Sequence, residues 1–202
     1  MKADMLKVHI VDDDRSVREA CHFLLESLGY EPTCWADGQS FLNGAPLHDQ
    51  GVAILDMRMP NLTGSQVHEQ LKAVDSTLAV IILTGHGEVT MAVNELKAGA
   101  VDFLQKPVSM GLLMNAMAQA TEYTSSRYEA HQLATRYALL SPKEQSVASL
   151  VAAGKTNRMI ADELCVSVRT VEVQRASAME KMGTDTLAAF IQGLQILAQE
   201  KA

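Results

Sequence analysis

The chain has 202 residues, 48% of them apolar but only 4% aromatic, and a formal net charge of −7, which suits one large or two small soluble domains rich in helix. No apolar run approaches the roughly 20 residues of a membrane-spanning helix, the start has no secretory pattern, and the three cysteines (Cys21, Cys34, Cys165) lack metal-ligand spacing, so the expectation is a cytoplasmic protein with buried, reduced thiols. Residues 1 to 122 hold 8 Lys+Arg against 16 Asp+Glu while residues 138 to 202 hold 7 of each, which argues against nucleic-acid binding by the front half and leaves it open for the rear.

In chain order, Leu6 to Val11 reads as a short strand, and Arg15 to Leu28 as a helix with apolar Val17, Cys21, Leu24, Leu25 and Leu28, ended by Gly29. Further strands are predicted at Glu31 to Trp35, Val52 to Leu55, Leu78 to Leu83 and Val101 to Leu104, with helices at Gly38 to Leu42, Gly64 to Ala73, Glu88 to Ala98 and Ser109 to Ala120. Strands alternating with helices through short connections imply a doubly wound, five-stranded parallel α/β sheet. The polar stretch from Thr121 to Ala138 has no Gly or Pro and reads as a helical connector prolonging the last of these helices. Beyond it, Ser141-Pro142-Lys143-Glu144 is a capping box, Thr156 caps a helix to Leu164, Ser167 caps another from Val168 to Met182, and Asp185 to about Gln199 forms a fourth. A short helix, the turn Cys165-Val166-Ser167 and a longer helix make a helix-turn-helix pattern.

Strand ends in a parallel sheet converge at one edge. That places Asp12 and Asp13, Asp56, Thr84 and Lys106 in one pocket. Three carboxylates form a hard oxygen cluster suited to Mg²⁺. Asp56, alone at the end of its strand, is the candidate nucleophile toward phosphorus, with Mg²⁺ and Lys106 neutralising charge and the Thr84 hydroxyl donating to a phosphoryl oxygen. Asp14 reads as a solvated helix-start residue, and His86 and Arg58 border the pocket as candidates for tuning acyl-phosphate hydrolysis. Haloacid-dehalogenase-type phosphatases place a second acid two residues after the nucleophile; this chain has Arg58 there, so turnover of external phosphate esters is not expected.

Val11-Asp12-Asp13-Asp14, Leu55-Asp56-Met57-Arg58-Met59-Pro60, Gly64, Leu83-Thr84-Gly85-His86-Gly87, Gly99-Ala100, Asp102-Phe103 and Lys106-Pro107 together resemble the receiver domain of two-component response regulators, over residues 5 to 121. The resemblance implies a flavodoxin-like fold in which Asp56 is the phosphoacceptor for a cognate sensor histidine kinase. It further implies that Asp12, Asp13, Asp56 and the Arg58 backbone carbonyl hold Mg²⁺, and that Thr84 and Phe103 rearrange on phosphorylation. A face near Val89, Met91, Glu95 and Lys97 would then form a homodimer. Self-dephosphorylation would be at most slow, and no further enzyme activity is implied.

After a helical linker at 122 to 138, a DNA-binding domain is expected at 139 to 199; within it Leu140 to about Leu187 resembles the LuxR and FixJ type of helix-turn-helix, through Leu140-Ser141-Pro142-Lys143-Glu144, Leu150-Val151-Ala152-Ala153-Gly154, Asn157-Arg158-Met159-Ile160-Ala161, Leu164, Val166-Ser167-Val168-Arg169-Thr170-Val171-Glu172 and Met179-Glu180-Lys181-Met182. Helical spacing turns Val171, Ala178, Met179 and Met182 to the core and leaves Arg169, Glu172, Val173 and Ala176 toward the DNA groove, where Glu172 can accept from a cytosine amine and Val173 can touch a thymine methyl. Arg158, Arg169, Thr170, Arg175 and Lys181 suit phosphates, and Gln174 stands where the family more often has His. Promoter DNA is the expected target and RNA polymerase a further partner; the alternative is a phosphorylation-gated module whose helical half binds a protein. Through Phe23-Leu24-Leu25-Glu26-Ser27-Leu28-Gly29-Tyr30, Ser76-Thr77-Leu78-Ala79-Val80 and Phe103-Leu104-Gln105-Lys106-Pro107-Val108, mostly packing residues, the chain resembles the FixJ subfamily and, within it, the regulators of tetrathionate respiration.

Overall fold

A computed structural model describes residues 6–85 and 89–199. The chain divides into two compact units, Met1–Tyr128 and Glu129–Ala202. The first contains β1 (Lys7–Val11), α1 (Arg15–Ser27), β2 (Pro32–Trp35), α2 (Gly38–Gly44), β3 (Gly51–Asp56), α3 (Gly64–Ala73), β4 (Ala79–Thr84), α4 (Val89–Lys97) and β5 (Asp102–Gln105); α5 (Met110–Ala138) begins in it and ends in the second unit. Each strand starts and stops within a residue of the sequence expectation.

The strands pair in parallel in the order β2-β1-β3-β4-β5. The continuous apolar runs of β3 and β4 are buried along their whole length, as strands covered by helices on both faces must be. One face packs on α1 and α5 through Ile10, Leu25, Ile54, Ile81, Leu113 and Met117; the other packs on α2 and α3 through Phe41, Leu55, Val67, Leu71 and Ile82. Asp14, Asp37 and Thr63 cap α1, α2 and α3 with their side chains, satisfying amides that have no partner within the helix. Thr124, a turn beyond the expected end of the receiver helix, is fully buried; its Oγ1 accepts from Gly51 N (2.9 Å) and donates to Thr77 O (2.8 Å). The early part of the expected connector is therefore structural in the first unit.

In the second unit, α6 (Pro142–Ala152), α7 (Asn157–Leu164), α8 (Val168–Met182) and α9 (Leu187–Gln199) enclose Val147, Val151, Ile160, Val171, Met182 and Phe190, with Leu133 of α5 in the same core. Ser141, Thr156 and Ser167 cap α6, α7 and α8 as predicted. The last helix starts later than expected, because the Thr186 hydroxyl accepts from Ala189 N at 3.2 Å and serves as its cap. The cysteine expectation is corrected in two of three cases. Cys21 is buried, but Cys34 and Cys165 are exposed: the first lies on the outermost strand, the second is the left-handed residue ending α7 (φ 53°). Among the described residues no helix is long and apolar enough to cross a membrane.

Candidate functional site

The register Val11↔Leu55, Asp56↔Leu83 and Thr84↔Gln105 brings the carboxyl ends of β1, β3, β4 and β5 to one edge, so residues up to 94 positions apart share a pocket. Lys106 Nζ lies 2.6 Å from Asp12 Oδ2 and 2.6 Å from Asp56 Oδ1. Asp12 is fully buried, Asp56 nearly so, and Asp13 is exposed. A carboxylate oxygen from each of Asp12, Asp13 and Asp56 lies within 4.8 Å of the others. Three hard oxygen donors at that separation fit a small divalent cation.

The backbone holds these groups firmly. Asp14 N donates to Asp12 Oδ1 at 2.9 Å, and the Arg18 guanidinium donates to the carbonyls of Asp12 (2.6 Å) and Asp13 (3.0 Å). Arg58 N donates to Asp56 Oδ2 at 3.1 Å. Gly64 N donates to Met57 O at 3.2 Å, and a Cβ on Gly64 would fall 2.2 Å from the Asp56 carbonyl oxygen. Only glycine permits that approach. Burial pushes the Asp56 carboxyl above its ordinary range; the Lys106 hydrogen bond opposes the shift, and the Asp12 charge adds to it. Burial disfavours the Lys106 charge too, but its bonds to Asp12 and Asp56 outweigh this and raise its pKa. The pocket thus offers a buried, hydrogen-bonded carboxylate beside a fixed ammonium, which suits reception of a phosphoryl group.

The Lys106-Pro107 bond, left open by the sequence, is cis. Thr84 is fully buried with its hydroxyl 3.5 Å from Leu104 O, and Phe103 is half-buried against the α2 and α3 side of the sheet. Of the residues expected on the dimer face, Met91 and Lys97 are exposed. Glu95 turns inward instead, with Oε2 2.7 Å from Nδ1 of the buried His68 on α3. The side chain of Val89, and all of His86, lie outside the described residues.

On the helix-turn-helix, Arg158, Arg169, Glu172, Val173 and Ala176 are exposed, while Thr170, Gln174 and Arg175 are partly so. Val171, Ala178 and Met182 are buried, and Met179 is half-buried against the same core. Two residues have duties the sequence did not suggest. Lys181 donates to both carboxylate oxygens of the buried Glu144, at 3.0 and 2.7 Å, and Ser177 donates to the same group at 2.6 Å. Arg175 donates to Asn157 Oδ1 at 3.1 Å, tying α8 to α7. Those partners lie 37 and 18 positions away, beyond any local pattern.

Residues 8–118 match the response regulator receiver domain model, and residues 138–192 match the model of bacterial regulatory proteins of the luxR family. The chain is 50% identical over 194 residues to the tetrathionate response regulatory protein TtrR of Salmonella typhimurium, covering 96% of this chain and 94% of that protein. It is 38% identical to the transcriptional regulatory protein FixJ of Bradyrhizobium diazoefficiens, covering 91% and 92% respectively. Its structure is similar to that of the response regulator StyR, with TM-score 0.70 and 34% identity over 95% of this chain and 98% of that one. The luxR-family match favours DNA over protein as the target of the helical half. With a receiver carrying the acidic pocket and a luxR-type helix-turn-helix behind it, the chain belongs to the two-component response regulators that bind DNA.

Proposed function

We propose that Asp56 is the phosphoacceptor, and that its modification drives the DNA-binding half onto promoters as a dimer. The observation that carries this reading is the bridge from Lys106 to both Asp12 and Asp56 within the three-carboxylate cluster. An Asp56 oxygen attacks the phosphorus of a phosphohistidine on a sensor kinase; the O–P bond forms as the N–P bond breaks, leaving an acyl phosphate here and a free imidazole on the kinase. Asp12, Asp13, Asp56 and the Arg58 backbone carbonyl would hold Mg²⁺, which when bound neutralises phosphoryl charge. Lys106 supplies a second positive charge, and the Thr84 hydroxyl exchanges its long contact with Leu104 O for a phosphoryl oxygen while Phe103 turns further inward. Hydrolysis of the acyl phosphate is slow and ends the signal.

The functional segments are a receiver at 5 to 121, to which α5 adds a structural turn through Thr124, the remainder of the helical stretch to 138, whose Leu133 joins the second core, and a DNA-binding domain at 139 to 199. The output surface is built on α4 and β5, with the exposed Met91 and Lys97 on its face. On DNA, Glu172, Val173 and Ala176 meet base edges, and Arg158, Arg169, Thr170, Gln174 and Arg175 meet phosphates. RNA polymerase is the downstream contact. Identity to a tetrathionate response regulator supports promoters of tetrathionate respiration as targets.

The test pairs the unsubstituted protein with Asp56→Ala in the presence of Mg²⁺ and acetyl phosphate. The expected outcome is stoichiometric phosphate uptake, a shift to dimer on sizing and at least a tenfold gain in promoter affinity by gel shift, a population shift of about 1.4 kcal/mol or more, all lost in Asp56→Ala. Equal DNA affinity with and without phosphate overturns the reading.

A further inference from the structure

Helix α4 is thinly anchored. Among its described side chains Ala92 alone is fully buried and Leu96 is half-buried, while Met91 and Val93 are exposed. Beyond these small apolar contacts, among the described residues Glu95 ties the inner side of the helix to α3: its Oε2 lies 2.7 Å from Nδ1 of His68, a side chain 3% exposed, and Ser65 adds a further hydrogen bond. Burial alone would raise the Glu95 pKa, but hydrogen bonds from His68 and Ser65 hold it below its ordinary range, so the carboxylate stays charged and the bond is charge-assisted.

Two neighbours make this tie consequential. His68 sits one turn into α3, the helix whose first residue, Gly64, abuts the backbone of Asp56. His68 also lines a cavity of about 200 Å³, together with Leu71, Val80, Ala98, Gly99 and Tyr123. Gly99, which follows α4 with φ +109°, has no atom within 4 Å of the place a Cβ would occupy. The segment that follows α4, Ala98 and Gly99, therefore borders open space, and among the described residues no side chain packs over Gly99.

We propose that the His68–Glu95 hydrogen bond is a latch that holds α4 in the receiving arrangement and so sets how often the unphosphorylated protein samples its output state. The proposal rests on the reading of α4 as part of the output surface. A ligand or modification shifts such an equilibrium only by its differential free energy, so a latch present in one arrangement raises the threshold for switching. The device involves residues on the inner surface of α4; an intermolecular role for Glu95 would give the opposite sign on its removal.

The experiment uses unphosphorylated full-length protein as Glu95→Ala and Glu95→Gln, with amide hydrogen exchange across Val89–Lys97 and the dimer fraction at fixed concentration as readouts. Glu95→Ala is expected to speed exchange in α4 by about tenfold and to raise the dimer fraction by about tenfold below saturation, the scale of one charge-assisted hydrogen bond. Glu95→Gln, which keeps an acceptor without the charge, should give a smaller rise in both, and supplies the same readouts if the alanine variant does not fold. Unchanged exchange in α4 overturns the latch, whatever the protein does with phosphate. Faster exchange with an unchanged or lower dimer fraction overturns its role in switching. Failure of the phosphoacceptor reading appears separately, as absence of phosphate uptake by the unsubstituted protein.

Discussion

Among single residues, His9 is held in a costly position. Its ring is 3% exposed among Trp35 and Phe41, and Nδ1 accepts from Trp35 Nε1 at 3.3 Å. In the neutral ring the proton must then sit on Nε2, which is buried without a hydrogen-bond partner. Burial, helped by the nearby Lys7 charge and opposed by Asp49, lowers the pKa from 6.5 to about 4. The unfolded chain thus takes up a proton at a pH where the folded receiver does not, so the contribution of a neutral His9 is complete above pH 6.5 and is lost as pH falls through about 4. Between pH 7 and pH 5 this amounts to about 2 kcal/mol. His9→Phe should remove that part of the pH dependence, read as urea-unfolding free energies of the isolated change at the two pH values; parallel pH profiles for the two proteins would rule out His9 as the titrating group.

Among elements, the turn from β3 into α3 carries the tightest constraint. Gly64 starts α3 behind the Thr63–Gln66 capping box, and a methyl group there would overlap the Asp56 carbonyl, 2.2 Å from the Cβ position. Gly64→Ala should destabilise the receiver by about 2 kcal/mol, as overpacking against backbone does, and slow phosphorylation by about tenfold or more through displacement of Asp56; normal uptake of phosphate would show that the turn relaxes without moving the acceptor. The same turn marks what a sequence discloses. Asp12, Asp56, Thr84 and Lys106 were legible because each follows an apolar strand, and parallel topology alone gathers strand ends. The caps at Thr63, Ser141, Thr156 and Ser167 were legible because capping is a local pattern. Glu95 was not: its chain spacing does not say which way the side chain faces, and His68 lies 27 positions away on another helix. Lys181 looked like a phosphate ligand for the same reason, since its partner Glu144 is 37 positions away. The exposed thiols of Cys34 and Cys165 depend on an edge strand and a left-handed turn, both products of tertiary arrangement.

For the whole molecule, the electrostatic problem is that a DNA-binding half with 7 Lys+Arg and 7 Asp+Glu over residues 138 to 202 has no net attraction to DNA. Affinity must come from where the cations sit. Of the basic residues on α7 and α8, Arg158 and Arg169 are exposed and Arg175 is oriented by Asn157. Lys181 is spent on Glu144, whose carboxyl it and Ser177 hold at about 2, below the ordinary 4.5. Three arginines per protomer then remain for phosphates. Each phosphate neutralised contributes about −0.9 to the slope of log affinity against log salt, so one half-site gives about −2.7 and a dimer on two half-sites about −5.4. Doubling of the slope on phosphorylation is the expected result in salt titrations of promoter binding if the proposed dimer sets two helices on the duplex about one turn apart. Arg169→Ala should lower the dimer slope by about 2, one contact in each protomer. Lys181→Ala should leave the slope unchanged and lower the thermal stability of the second unit, since it strands the buried Glu144 carboxylate. A fall in slope for Lys181→Ala equal to that of Arg169→Ala would mean that the lysine leaves Glu144 for the DNA backbone on binding.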